Sequence, residues 1–148
     1  MPTTLGQAFG PGSIQVKAQV ADWRSALKLA GELLVTSGCV LPDYTEQMIR
    51  AVEELGPYIV IAPGIALAHA RPSELVLKTG LSLVTLVEPI EFGNAANDPV
   101  SLVFALSAVD HDSHIDVLKL FADLMSDKRT VNSLLTSDST EAIRLVLG

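Results

Sequence analysis

The sequence predicts a single α/β domain in which a mixed β-sheet is flanked by α-helices on both faces. Apolar residues recur at helical spacing in the early and late parts of the chain. Runs rich in Val and Leu occupy the middle and indicate strands buried on both faces. No repeat, low-complexity segment or linker divides the chain. Strands with helices before and after them form one layered domain, and connections of hairpin and helical length together predict a mixed sheet.

The first part of the chain is predicted to contain one strand and two helices. Apolar and polar residues alternate over residues 13–20, which is typical of a half-buried strand. Asp22 is a suitable N-cap for a helix that runs to about residue 36 and ends before Gly38. A second helix is predicted over about residues 44–55, where a Gly-Pro pair stops it.

The middle of the chain is predicted to form strands. Two short apolar runs, residues 58–62 and 65–68, flank a Pro-Gly turn. Two longer runs, residues 77–87 and 100–109, are predicted to be central strands because they lack polar alternation. Residues 88–99 between them contain Pro, Gly, Asn and Asp and are predicted to be a loop.

The last part of the chain is predicted to be helical. A Ser-x-x-Asp capping box at residues 113–116 predicts the start of a helix that runs to about residue 126. Two shorter helices are predicted near residues 128–135 and 140–147, with Ser139 as the N-cap of the second.

Composition excludes several classes of protein. Of the 148 residues 49% are hydrophobic and only 5% aromatic, so an aliphatic core is expected. A net charge of −7, with no basic run longer than Lys128-Arg129, excludes a nucleic-acid partner. Cys39 is the only cysteine, which excludes an internal disulfide and any Cys-x-x-Cys site. No P-loop, Gly-x-Gly-x-x-Gly or Gly-x-Ser-x-Gly motif occurs.

The N-terminal residues 1–12 are expected to be a flexible terminus, and the domain is placed at residues 13–148. The terminus is rich in Gly, Pro and Thr and lacks the basic and apolar regions of a signal peptide. The uncharged run at residues 58–70 is too short to span a bilayer and contains Pro and Gly. A soluble protein of the reducing cytoplasm is therefore expected.

His69 is the first candidate for a reactive side chain. It follows the predicted strand at residues 65–68 and precedes Arg71-Pro72, so it is placed to leave the core and face a cleft. A neutral imidazole is a competent nucleophile near neutral pH. The Arg71 guanidinium is suited to hold or steer a phosphoryl group. The alternative is a partly buried His with a backbone hydrogen bond, beside an ordinary surface Arg.

His111 and His114 lie at the start of the helix predicted after the strand at residues 100–109. A helix N-terminus offers backbone N–H groups and a positive dipole end, which suit an anionic phosphoryl group. A pair of His residues can also indicate a metal, but no convincing third ligand accompanies them, so no metal and no cofactor are expected. The remaining alternative is plain helix capping, with Asp110 and Asp112 as solvated charges.

Several separate segments of the chain resemble one family of bacterial proteins. Residues 64–72, Gly-Ile-Ala-Leu-Ala-His-Ala-Arg-Pro, resemble the active-site segment of the fructose/mannitol-type IIA family of the sugar phosphotransferase system (PTS). The residues that lead into this segment, 56–64, resemble the ascorbate branch in particular. The likeness extends in order over nearly all of residues 13–147 and includes residues 89–93, 97–100 and 112–115.

This resemblance implies a mannitol-type IIA fold and the function of a phosphoryl carrier. It implies that His69 accepts phosphate from the phosphohistidine of HPr and passes it to a Cys of a IIB component, which serves a membrane IIC transporter. It also implies that His114 lies beside His69 and helps to hold the phosphoryl oxygens. The likeness to the ascorbate branch implies ascorbate uptake. Relatives in that branch often carry Asn where this chain has His111, whose role stays open.

The mechanism predicts a shallow exposed cleft with apolar surroundings around His69, because donor and acceptor proteins must both reach it. Two other functions stay open: a regulatory IIA domain that controls a target protein through its phosphorylation state, and a scaffold with an inert His69. The sugar is not fixed by this sequence, since specificity lies largely in the IIB and IIC partners. The apolar surface is compatible with a homodimer.

Overall fold

The predicted helices and strands are present in a computed structural model, which describes residues 4–148. In chain order the elements are a 3-10 helix (Leu5–Ala8), β1 (Ile14–Ala18), α1 (Trp23–Thr36), α2 (Asp43–Leu55), β2 (Val60–Ala62), β3 (Ile65–His69), β4 (Gly80–Ile90), β5 (Val100–Ser107), α3 (His111–Met125), α4 (Lys128–Thr136) and α5 (Thr140–Leu147). No helix in the described part of the chain is long and apolar enough to cross a membrane.

The five strands form one mixed sheet in the order β1-β4-β5-β3-β2. β1 is parallel to β4 and β3 is parallel to β5, whereas the β4–β5 and β2–β3 pairs are antiparallel. The mixed sheet is therefore confirmed, with β4 and β5 in its interior. Every residue of β5 except Ser101 is buried, as expected for a strand without polar alternation.

Successive residues of the strands face two separate cores, one on each side of the sheet. In β3, Ala66 and Ala68 face the core completed by α1 and α2, whereas Ile65 and Leu67 face the core under α3, α4 and α5. Helices thus cover both faces, as predicted. Because side chains of a strand alternate between faces, His69 extends toward the same face as Ile65 and Leu67, where α3 lies.

The N-terminal segment packs against the second of these cores. Leu5 and Phe9 are buried, and the Arg144 guanidinium in α5 donates a hydrogen bond to the carbonyl of Phe9 at 3.0 Å. The terminus predicted to be flexible over residues 1–12 thus contains two apolar side chains that pack in this core, and its flexibility stays a prediction. Residues 1–3 lie outside the described part of the chain.

Helix α3 begins earlier than the capping box at residues 113–116 predicts. Its N-cap is Asp110, whose carboxylate accepts a hydrogen bond from the Ser113 N–H at 2.8 Å. That hydrogen bond holds the pKa of Asp110 below its usual value. Both Asp and Ser are good N-cap residues, so local preference does not distinguish Asp110 from Ser113, and the helix begins after Asp110. His114 consequently completes the first turn of α3.

Strand β4 lies three residues further along the chain than predicted. It covers Gly80–Ile90 rather than residues 77–87, because Ile90 pairs with Val100 at the start of β5. The N-caps predicted at Asp22 and Ser139 are confirmed, since each side chain accepts a backbone N–H from three residues ahead.

Candidate functional site

Two histidines meet at one edge of the sheet. Because β3 and β5 are parallel, their carboxyl ends lie at the same edge, and α3 starts shortly after β5. His69 is the last residue of β3, and His114 lies on the first turn of α3. Their ring centroids are 5.4 Å apart and the rings are inclined at 70°. The structure thus places side by side two residues that are 45 positions apart in the sequence.

The ring of His69 is oriented by its own strand. Nδ1 lies 3.1 Å from the carbonyl oxygen of Leu67. A carbonyl can only accept a hydrogen bond, so Nδ1 carries the proton and the lone pair of the neutral ring is on Nε2. Tyr58 packs edge-on against the ring, with centroids 5.7 Å apart. A neutral His69 therefore presents one defined nucleophilic nitrogen.

The side chain of His114 is half-buried beside it. Burial, and then the charges of His69 and His111, lower the pKa of His114 from its ordinary value of 6.5. The ring is therefore neutral around neutral pH and has one N–H to donate. The backbone of this helix start is less available than the sequence suggested. The carboxylate and the carbonyl of Asp110 accept the N–H groups of Ser113 and His114.

Both histidines line an open groove of about 800 Å³ between α2, the segment before β2, and α3. Much of its wall is apolar, formed by Ala51, Leu55, Tyr58, Ile115 and Leu118. The shallow, largely apolar cleft predicted from the mechanism is therefore present. His111, the exposed first residue of α3, lies at the same groove.

Two guanidinium groups also line this groove. Arg71, which the sequence singled out, follows the end of β3, and Arg50 comes from α2, where sequence reasoning missed it. Both are exposed, and within residues 4–148 neither forms an ion pair. Helical spacing alone groups Arg50 with Gln47 and Glu54 on one face of α2. Helical spacing does not show that this face of α2 borders His69.

Tyr44 is a second residue that the sequence did not single out. It is fully buried at the start of α2, and its hydroxyl reaches the end of β3. The Ala70 N–H donates to this hydroxyl at 3.0 Å, and the hydroxyl lies 2.8 Å from the carbonyl oxygen of Leu106. Burial raises the pKa of Tyr44 to about 12, so the hydroxyl keeps its proton. An aromatic residue at a helix start carries no sequence signal for this contact.

No metal centre accompanies these groups in the described part of the chain, where no three His, Cys, Asp or Glu residues are clustered closely enough to hold an ion. The buried Cys39 is not among the residues that line the groove. The groove brings together three imidazoles, those of His69, His111 and His114, and two guanidinium groups.

Comparison with known proteins shows which family this sequence resembles. The model of the family described as "Phosphoenolpyruvate-dependent sugar phosphotransferase system, EIIA 2" matches residues 7–147. The chain is 42% identical over 123 residues to the ascorbate-specific PTS system EIIA component of Escherichia coli K12, covering 82% of this chain and 80% of that protein. It is 43% identical over 116 residues to the component of the same name from Salmonella choleraesuis, covering 75% of each chain.

Solved structures share the fold over nearly the whole chain. The mannitol-specific cryptic enzyme IIA of Escherichia coli has a TM-score of 0.88 at 32% identity, covering 98% of each chain. Enzyme IIA of the Escherichia coli mannitol system, solved in complex with phosphorylated enzyme IIB, has a TM-score of 0.82 at 27% identity, covering 93% of this chain and 95% of that one. The nitrogen regulatory protein IIA-Ntr of Neisseria meningitidis has a TM-score of 0.82 at 26% identity, covering 97% and 99%. The mannitol-type IIA fold is therefore confirmed.

Proposed function

This chain belongs to the EIIA 2 family of the phosphoenolpyruvate-dependent sugar phosphotransferase system, and from that premise we propose that His69 is its phosphoryl-accepting residue. It is a phosphotransferase component, so it needs a nucleophile that a donor protein and an acceptor protein can reach in turn. The observation that carries the proposal is the free Nε2 of His69, which the Leu67 carbonyl leaves unprotonated at an open groove.

The relay consists of two in-line displacements at phosphorus. The Nε2 lone pair of His69 attacks the phosphoryl group on the donor imidazole of HPr. A new N–P bond forms while the old one breaks and returns its electron pair to the donor nitrogen. A Cys thiolate of IIB then attacks the same phosphorus, and the electron pair of the broken N–P bond returns to Nε2. The proton on Nδ1 stays hydrogen-bonded to Leu67 throughout.

The neighbouring groups are proposed to hold the oxygens of the transferred group. Catalysis of phosphoryl transfer depends mainly on positioning and on groups that stabilise charge on these oxygens. The ring centroid of His114 lies 5.4 Å from that of His69. The neutral His114 ring is proposed to donate its one N–H to an oxygen of the transferred phosphoryl group. Arg71 and Arg50 supply positive charge from two sides of the groove, and neither guanidinium is engaged by a carboxylate in residues 4–148.

The sugar is proposed to be ascorbate. Two relatives that are more than 40% identical to this chain over the aligned residues are named as ascorbate-specific EIIA components. Tyr58, from the segment that resembles the ascorbate branch, packs on the reactive ring and lines the groove. A IIB component accepts the phosphate, as the phosphorylated IIB in complex with a related IIA supports. HPr as donor, a IIC transporter downstream and a cytoplasmic location complete the proposal.

The assignment of His69 is tested by labelling. Incubation with phosphorylated HPr should add one phosphate that is labile to acid and stable to base, as expected of a phosphoramidate. His69→Ala should abolish this label, whereas His111→Ala, a matched change at the rim of the same groove, should leave it in place. Full labelling of the His69→Ala protein would overturn the assignment.

A regulatory function is the second candidate, and the similarity to IIA-Ntr favours it. In that case His69 would still accept phosphate, but the phosphorylation state would control binding to a target protein. Transfer to a IIB protein distinguishes the two functions. Rapid transfer supports transport, and a stable phosphoprotein that no IIB discharges supports regulation.

A further inference from the structure

A side-chain hydroxyl takes part in the hydrogen bonding between β3 and β5 directly after His69. The parallel ladder between β3 and β5 begins where the Leu102 N–H donates to the carbonyl of Gly64 at 3.1 Å. Rungs of such a ladder recur every second residue along each strand. Continued at this spacing, the rung beyond His69 would join the Ala70 N–H directly to the carbonyl of Leu106.

The hydroxyl of Tyr44 bridges the two groups of that rung. It accepts the N–H of Ala70 at 3.0 Å and lies 2.8 Å from the Leu106 carbonyl oxygen. The Ala70 carbonyl is more distant, at 3.3 Å. A hydroxyl has a single proton, so the shorter contact identifies Leu106 as its acceptor. The two strands are thus linked through an inserted O–H group where His69 ends β3.

These contacts lie at the point where the chain leaves the sheet. His69 pairs with Leu106 in the β3–β5 register, and Ala70 is the first residue beyond the strand. The hydroxyl fixes the amide of Ala70, which is the peptide group directly attached to His69. The Tyr44 side chain comes from a fully buried position on α2, so its hydroxyl has little freedom to move.

We propose that Tyr44 is a positioning residue for phosphoryl transfer, acting through the Ala70 amide to hold His69 at the angle that keeps Nδ1 on the Leu67 carbonyl and Nε2 toward the groove. The proposal rests on the proposed function of His69 as phosphoryl acceptor. Tyr44 does not line the groove and makes no contact with the transferred group. Its effect is on the orientation of the nucleophile.

The test compares Tyr44→Phe with Ser82→Ala. Ser82 is also fully buried and donates its hydroxyl to a backbone carbonyl, that of Ala30 at 2.8 Å, but it lies outside the groove. Tyr44→Phe should lower kcat for phosphate transfer from phospho-HPr by about tenfold or more and leave KM nearly unchanged, because the docking groove is intact. Ser82→Ala should transfer phosphate at close to the wild-type rate.

A spectroscopic readout separates positioning from general destabilisation. In ¹⁵N spectra of the unphosphorylated protein, the wild-type His69 ring should show one dominant tautomer with Nδ1 protonated. Tyr44→Phe should move both ring nitrogens toward the averaged shifts of mixed tautomers, and Ser82→Ala should not. Unchanged His69 shifts with a wild-type kcat in Tyr44→Phe would overturn the proposal. An equal loss of kcat in Ser82→Ala would overturn it as well.

Two further measurements keep the test decisive. If Tyr44→Phe fails to fold, amide exchange of Ala70 in the wild-type protein decides: slow exchange supports the hydroxyl bridge, and exchange at the rate of an unprotected amide overturns it. If the wild-type protein accepts no phosphate on His69, the proposed function fails. The tautomer comparison still reports on Tyr44 in that case.

Discussion

At the scale of single residues, the chemistry of the site depends on which nitrogen of His69 is free. The carbonyl of Leu67 belongs to the same strand as His69, so the acceptor keeps its position relative to the His69 backbone as long as β3 is intact. The Tyr58 ring packs perpendicular to the imidazole and restricts its rotation. A nucleophile held in this way loses little orientational freedom when the donor arrives, which favours rapid in-line attack.

His114 is expected to position the phosphoryl group without bonding to it covalently. His114→Ala should still allow His69 to be labelled by phospho-HPr, but it should slow onward transfer to IIB by about ten- to a hundredfold, because one N–H on the phosphoryl oxygens is lost. Single-turnover kinetics from the isolated phosphoprotein measure this step. Wild-type rates in both directions would remove His114 from the mechanism.

The same substitution provides a check through the pH dependence of stability. The folded state lowers the pKa of His114 from 6.5 by burial and by the nearby His69 and His111. As pH falls below 6.5, the unfolded chain binds a proton that the folded chain resists, so the free energy of unfolding decreases until the folded pKa is reached. Urea titrations at several pH values should show this decrease in the wild type and a smaller one in His114→Ala. Identical slopes would mean that the ring is not desolvated.

At the scale of structural elements, the segment before β2 is held against the site by the loop between β4 and β5. Side-chain amides of Asn94 and Asn97 donate to the carbonyl of Val60, and Asn94 also donates to that of Pro57. Asp98 in turn organises this loop, because its carboxylate accepts N–H groups from three successive residues, 92–94. The loop predicted from Pro, Gly, Asn and Asp content thus hydrogen-bonds the backbone on both sides of Tyr58.

Removal of the Asp98 carboxylate should therefore weaken both the fold and the site. Asp98→Ala leaves several backbone N–H groups without their acceptor and is expected to lower the free energy of unfolding by about 1–3 kcal/mol. It should also slow phosphate uptake by His69, because the loop that hydrogen-bonds the backbone on either side of Tyr58 is no longer organised by this carboxylate. Urea denaturation and phospho-HPr labelling measure the two effects.

The matched control for this change is Asp138→Ala. Asp138 is exposed and is ion-paired with Lys17 at the surface. Such pairs contribute about 0–1 kcal/mol, so this variant should stay close to the wild type in both assays. Equal effects of the two substitutions would show that the loop does not hold the segment carrying Tyr58 in place for phosphate uptake by His69.

At the scale of the whole molecule, the distribution of charge distinguishes the groove from the rest of the surface. The chain carries a net charge of −7. Of the groove residues, however, Arg50 and Arg71 are cationic and Glu54 alone is acidic. A partner that carries a phosphoryl group is therefore drawn to the groove and repelled elsewhere, which helps to orient the encounter.

The homodimer compatible with the apolar surface stays a prediction.

Partner choice is the prediction that belongs to this scale. An ascorbate-type IIB should accept phosphate from this protein much faster than a mannitol-type or fructose-type IIB. The reason is that Tyr58, one of the residues 56–64 that resemble the ascorbate branch, lines the groove on which IIB is expected to dock. Transfer rates to the three IIB proteins at one salt concentration test this. Equal rates would show that the ascorbate assignment is wrong even if the phosphocarrier function stands.

The sequence by itself determined the elements and their order. Alternation and continuous apolar runs predicted the strands, and the N-caps at Asp22 and Ser139 predicted helix starts, because these signals depend on neighbouring residues only. Local signals failed where two choices were locally equivalent, as at Asp110 and Ser113. They also failed where a distant surface was needed, as for Leu5 and Phe9, which form a buried turn only because a core lies beneath them.

The sequence also singled out His69 as the candidate reactive residue, because it follows a strand and precedes Arg71-Pro72 in a segment that resembles the active-site segment of the family. Only the tertiary structure decided what surrounds it. The parallel pairing of β3 with β5 brings His114 to the ring, packing of α2 brings Arg50 to the groove, and the hydroxyl of Tyr44 enters the β3–β5 ladder. These contacts join residues far apart in the chain, and no local pattern encodes them because their energy comes from strand register and helix packing.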